Sequence, residues 1–243
     1  MRDKLIRRNL MKRERKQRNP PILPVPRSKK EAKQFYDRTS RFYGYLTRPF
    51  EGKNGDMALE CLSIQQGETV LEIGFGPGHC LKRIAQSVGQ MGKAYGIDIS
   101  SGMLEVTDRR LEKAGLIDRV ELYRGDATEL PYDECTFDAV FMSFTLELFD
   151  TPEIPTVLKE VRRVLKLTGR LGVIGMSRSY GESTLLRLYE WAHKKWPKYF
   201  DCRPIYVERS LIDAGFKIQS KEKKRLIGLL PLEVVIGTKA SSH

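Results

Sequence analysis

Three glycines stand at alternate positions, Gly74, Gly76 and Gly78, directly after the apolar run Thr69–Ile73. Glycine has no Cβ, so such a turn can bend sharply and let a ligand approach the main chain. A glycine turn between a strand and a helix is where open α/β sheets bind nucleotides. Three polar features recur at the ends of later apolar runs. Asp98 closes Ala94-Tyr95-Gly96-Ile97-Asp98, where a carboxylate can accept hydrogen bonds from both hydroxyls of a ribose. Asp126 follows in Arg124-Gly125-Asp126-Ala127, where it can take an amino proton of adenine, and Ser143 ends the run beside the turn. The set is suited to holding a nucleoside. Dinucleotide dehydrogenases use the different spacing Gly-x-Gly-x-x-Gly, which seats a pyrophosphate on a helix N-terminus.

These residues need a parallel sheet to bring them to one edge, and the hydrophobic pattern supplies it. Strands are expected at 68–73, 93–98, 119–123, 137–143 and 170–176, with helices at 78–88, 101–114 and 153–165 between them. Gly169 reads as the stop of the last of these helices. Alternation of this kind implies helices on both faces of the sheet. Helix 207–214 and strands 216–223 and 231–238 follow, and those two strands are expected to pair antiparallel. Upstream, residues 1–26 form a basic, Pro-rich arm. Helices are expected at 28–46, which carries Phe35, Tyr36, Phe42, Tyr43 and Tyr45, and at 55–63. Residues 178–206, with Tyr180, Tyr189, Trp191, Trp196, Tyr199 and Phe200, interrupt the alternation as an insertion over the site.

Glu72-Ile73-Gly74-Phe75-Gly76-Pro77-Gly78, Asp98, Ile99-Ser100-Ser101-Gly102-Met103-Leu104 and Gly125-Asp126-Ala127 together resemble the motifs of the class I S-adenosylmethionine-dependent methyltransferases. The resemblance covers roughly residues 31–238. It implies a Rossmann-like, doubly wound, mostly parallel seven-stranded sheet with one antiparallel strand, a methyltransferase domain over 67–240 and an N-terminal helical lid over 27–66. It further implies S-adenosyl-L-methionine as cofactor, held by Tyr36, Glu72, Gly74, Phe75, Gly76, Gly78, Asp98, Ser101, Met103, Asp126, Ala127 and Ser143. Phe35-Tyr36-Asp37, Gly125-Asp126-Ala127-x-x-Leu130-Pro131-Tyr132 and Phe137-Asp138 look most like the ubiquinone/menaquinone biosynthesis C-methyltransferases. That group typically has a second Tyr-Asp pair, where this chain has Tyr43-Gly44. In the turn normally written Leu-Lys-Pro-Gly-Gly, Leu167 and Thr168 replace Pro and the first Gly.

Methyl transfer is an in-line displacement, and alignment alone can supply roughly 7–11 kcal/mol of its barrier. An acceptor carrying a proton also needs a base. The candidates are His193, in the aromatic insertion, Tyr36, on the lid, and Glu147, just past the fourth strand. His79, beside the glycine turn, is expected to start a helix, and Cys202 to be an inert thiol.

Net charge is +12, of which +7 falls in residues 1–18. A basic segment there suits an anionic membrane surface or nucleic acid. A nucleic-acid acceptor is the less favoured reading, because Ser143-Phe144-Thr145-Leu146 stands where amino-methylating members carry Asn/Asp-Pro-Pro-aromatic. The favoured acceptor is small and lipophilic, such as a quinone precursor, with a phospholipid or other small-molecule N/O-acceptor as the alternative. Four scattered cysteines suggest no disulfide framework or zinc site and fit reduced thiols. No apolar run approaches the roughly 18 residues of a membrane span. The expected location is cytoplasmic, with peripheral membrane contact.

Overall fold

In a computed structural model of the chain, residues 21–25, 27–179, 184–196, 202–226 and 230–239 are described. The basic segment 1–18, Tyr180, Tyr199 and Phe200 lie outside them, as does the side chain of Tyr43. Seven strands form one sheet: β1 Thr69–Ile73, β2 Lys93–Asp98, β3 Val120–Arg124, β4 Phe137–Ser143, β5 Leu165–Met176, β6 Phe216–Leu226 and β7 Leu230–Lys239. Their order is β3-β2-β1-β4-β5-β7-β6. All pairings are parallel except those of β7, which runs antiparallel to both β5 and β6. The order reverses between β1 and β4, and such a switch point opens a crevice beyond the carboxyl ends of the strands.

Side chains alternate across a strand, so each strand feeds two cores. Val70 of β1 and Ala139 and Phe141 of β4 pack on one face, while Leu71, Ile73, Val140 and Met142 pack on the other. Phe137 breaks this parity, because the register shifts between Phe137 and Ala139 where β4 meets β5. The first face is covered by α1 (Lys29–Leu62), α2 (His79–Ser87) and α3 (Ser101–Lys113). The second is covered by α4 (Ile154–Val164) and α6 (Val207–Asp213). Buried Ile154, Val157, Leu158, Val161 and Val164 make the single apolar stripe that docks α4. The remaining helix, α5 (Thr184–Lys195), lies in the insertion that follows β5.

Two boundaries differ from the pattern reading. The helices expected at 28–46 and 55–63 are one helix of 34 residues. Gly44, Pro49, Gly52 and Gly55 suggested a break. Tertiary docking overrides that local preference. Ala58 and Leu62 are buried in the first core, and the N-terminal part packs against α3. Ser28 and Glu31 close the start in a reciprocal capping box. The second difference is at Gly169. Helix α4 ends at Val164 and the chain enters β5 at once, so Gly169 lies within a strand and does not stop the helix.

Candidate functional site

The glycine turn leaves β1 in left-handed backbone conformations, with φ of +71° at Gly74 and +49° at Gly76. At Gly74 a Cβ would lie 2.4 Å from Thr145 Cγ2, so β1 and the loop after β4 touch only because the side chain is missing. At Gly76 a Cβ would meet nothing within 4 Å, which leaves the main chain bare toward open space. That space is a cavity of about 340 Å³ at the carboxyl ends of β1, β2 and β4. Glu72, Gly74, Phe75 and Gly76 line it with Asp98, Met103, Asp126, Ala127 and Ser143. Gly78 and Ser101 are not on its wall. Gly78 is the N-cap of α2, and the Ser101 hydroxyl is turned to Asp37 at 3.2 Å.

Asp98 is tied to the turn it faces. The amide of Gly76 donates to its Oδ2 at 2.9 Å, and the amide of Ser100 donates to Oδ1 at 2.9 Å. One carboxylate therefore clamps the glycine turn to the end of β2. Desolvation, with Asp37 nearby, raises its pKa to about 6 against the pull of the amide donors. Asp126 is held differently. Lys29 Nζ donates to its Oδ2 at 2.6 Å and pairs with Glu153 at 2.7 Å, while the Thr128 amide donates to Oδ1 at 2.9 Å. Desolvation opposes ionisation of Asp126, but Lys29 and Thr128 win and hold its carboxyl below the usual range.

The far wall of the cavity comes from the start of the chain. Val25, Arg27, Ser28, Lys29, Ala32 and Tyr36 all line it. This segment is strapped across the site by side chains of the body. The buried guanidinium of Arg203 donates to Leu23 O at 2.6 Å, and Val25 donates to Asp150 Oδ1 at 3.3 Å. Asp37 then fixes the helix. Its Oδ1 accepts from Ser100 Oγ at 2.7 Å, Ser101 Oγ at 3.2 Å and Gly102 N at 3.0 Å, and Lys33 bonds Oδ2 at 2.8 Å. Desolvation works against that carboxylate, yet these donors hold it well below the ordinary carboxylate range.

Of the three candidate bases, the structure brings only Tyr36 to the cavity. Glu147 is fully buried, accepts the Met176 amide at 3.2 Å, and gives its own carbonyl to Arg203 at 3.0 Å. A Cβ on Gly175 would lie 2.1 Å from its Oε2, which marks how tightly the carboxylate is packed against β5. His193 is buried on the inner side of α5 and is not on the cavity wall. His79 does line the cavity, in contact with Arg110. The pattern reading missed Lys29, Asp150 and Glu153, and the aromatic wall of Phe144 and Phe149. The capping box at Ser28 was the one local signal that the helix begins there, next to Lys29.

Residues 70–169 match the family profile of a methyltransferase domain. A demethylmenaquinone methyltransferase from Symbiobacterium thermophilum is 32% identical, with 72% of this chain and 74% of the relative covered. A 2-phytyl-1,4-naphtoquinone methyltransferase from Synechococcus elongatus is 34% identical over 55% of this chain and 56% of its own. Several other curated relatives are matched over about half their length. In fold, the chain is similar to a SAM-dependent methyltransferase from Aquifex aeolicus, with TM-score 0.57, 23% identity, and 86% of this chain and 98% of that one covered.

The cavity fits S-adenosylmethionine on its own chemistry. Gly76 offers main chain with no side chain in front of it, and Asp98 has its carboxylate fixed beside that bare turn. Five carboxyl groups, of Glu72, Asp98, Asp126, Asp150 and Glu153, face the cavity against the two cations Arg27 and Lys29. That balance suits a ligand whose reactive centre is a sulfonium cation. Glycine turn, clamped acid, adenine-side acid and relatives agree: the chain belongs to the class I S-adenosylmethionine-dependent methyltransferases, in the group of the ubiquinone/menaquinone methyltransferases.

Proposed function

We propose that this methyltransferase acts on a carbon of a lipophilic, quinol-type ring. The observation that carries the reading is the wall facing the glycine turn, where Tyr36, Phe75, Phe144 and Phe149 give an apolar, aromatic surface to the cavity that also holds Asp98. The names of the relatives, which act on demethylmenaquinone and on a phytylnaphthoquinone, point the same way.

When bound, the cofactor supplies an electrophilic methyl on sulfur and leaves as a neutral thioether. The chain's residues do the rest. Asp98 and the bare main chain at Gly76 orient the nucleoside end. Asp126 takes the adenine side, with Lys29 bridging it to Glu153. The aromatic wall excludes water and stacks the acceptor ring. Tyr36 is assigned the acceptor's hydroxyl proton. As that O–H bond breaks, its electron pair moves into the ring, the ring carbon bonds the methyl, and that carbon's own proton is lost to restore aromaticity. Incubation with radiolabelled S-adenosylmethionine, a total lipid extract and, separately, RNA tests the acceptor class. Label in a neutral quinone fraction, lost in Asp98→Ala, supports the reading. Label in phospholipid or only in RNA refutes it.

A further inference from the structure

We propose that the outer face of α5 is a docking surface for an anionic lipid bilayer. Arg187, Leu188, Trp191, Lys194 and Lys195 recur at helical spacing, and all are exposed, while Leu186 and His193 on the other side are buried. Leu188 is 56% exposed and Trp191 is 52% exposed. Trp196, one residue past the helix, is 46% exposed and meets Trp191 edge to face, with centroids 5.3 Å apart. Two indoles and a leucine are thus held half in water, ringed by three cations. The acid of this helix, Glu190, is turned inward and paired with Arg178.

Each part of this face has a use at a membrane. Tryptophan partitions to the boundary between head groups and acyl chains. Lysine and arginine beside it are drawn to anionic head groups. A helix with a basic rim and large apolar side chains between lies in that plane. A second copy of the chain is disfavoured, because it would set three cations against three. Nucleic acid would use the cations but leave Leu188 without a role. The position also fits. Helix α5 follows the end of β5 at Met176, on the same edge of the sheet as the cavity. A face there would let a lipophilic acceptor pass from bilayer to cavity without crossing water. This last clause rests on the acceptor reading, but the docking does not.

The chain has two tryptophans, both on this face, so its indole emission reports on the face alone. The full-length protein is mixed with phosphatidylcholine vesicles with and without phosphatidylglycerol, carrying brominated acyl chains, and in parallel with an RNA oligonucleotide. The expected result is blue-shifted, quenched emission with the anionic vesicles, reversed by salt. Lys194→Glu with Lys195→Glu, and separately Trp191→Ser with Trp196→Ser, should each lower vesicle partitioning on the order of tenfold or more. Methyl transfer to a short-chain, water-soluble quinol without vesicles should be unchanged in these variants. That control separates failure of docking from failure of the acceptor reading. Vesicle binding without a change in emission would overturn the proposal, since residues 1–18 would then be the anchor. An emission change with RNA but not with vesicles, or no vesicle binding, would overturn it equally.

Discussion

Lowering the pH from about 7 to about 5 titrates Asp98, whose pKa is raised to about 6 by desolvation. At the lower pH roughly one Asp98 in ten is ionised. If its carboxylate accepts the ribose hydroxyls, cofactor affinity should fall about tenfold over that interval and be flat above it. Stability should move the other way. The folded pKa lies above the ordinary carboxyl value, so between the two the folded chain binds more protons than the unfolded one. The ligand-free protein should therefore gain stability as pH falls from about 6 to about 4, by on the order of 3 kcal/mol from this group. Asp37 and Asp126 are shifted down, so the stability they contribute is present above their ordinary pKa and lost only as pH falls further. Calorimetric titration of S-adenosylmethionine across this range, in wild type and Asp98→Asn, checks the binding, and urea unfolding of the ligand-free proteins checks the stability. The variant should bind more weakly at neutral pH and show no slope through about 6. A wild-type affinity that is flat there, or an equal slope in the variant, would refute the assignment.

Gly74→Ala should abolish cofactor binding and cost about 2–4 kcal/mol, because it strains a φ of +71° and drives a methyl to 2.4 Å from Thr145; thermal unfolding and cofactor titration read both effects. Asp37→Ala leaves the hydroxyls of Ser100 and Ser101 and the Gly102 amide without their acceptor. It should lose about 2 kcal/mol in urea unfolding, while hydrogen exchange rises over residues 29–42 before it rises in the sheet. Arg203→Met removes the donor to the carbonyls of Leu23, Glu147 and Phe149. A loss of about 3 kcal/mol or more should follow, and limited proteolysis should then cut near residues 21–25.

The sheet and its ligand edge were legible because each strand is a short apolar run ending in a polar residue that period and turn chemistry both mark, as at Asp98 and Asp126. The antiparallel pair at the end of the chain was legible from the short connection between its strands. What escaped was non-local. Lys29 reaches Asp126 across nearly a hundred positions, and no spacing rule encodes such a contact. Glu147 and His193 were attractive as acids and bases by type and neighbourhood, yet their burial depends on Arg203, β5 and the turn of α5, which sequence alone does not orient. The continuity of α1 was hidden for the converse reason. Local breakers at Pro49 and the glycines are overruled by packing at both ends of the helix.

That continuity governs how the cavity can open. Helix α1 is about 50 Å long, its last turns belong to the hydrophobic core and its first turns carry Tyr36 and Asp37 over the site. A cover built this way has no loop to swing on, so it behaves as a cantilever anchored in the sheet. Its compliance resides where the helix is weakest, at Pro49, which brings no amide hydrogen, and at the glycines beside it. Cofactor exchange then draws on two separable elements: release of the strap at residues 21–29, and elastic bending of a rod whose stiffness is set some 10–20 residues from the chemistry. Substitutions at Pro49, Gly52 or Gly55 touch no cavity residue, yet they alter the rate at which the site admits and releases ligand.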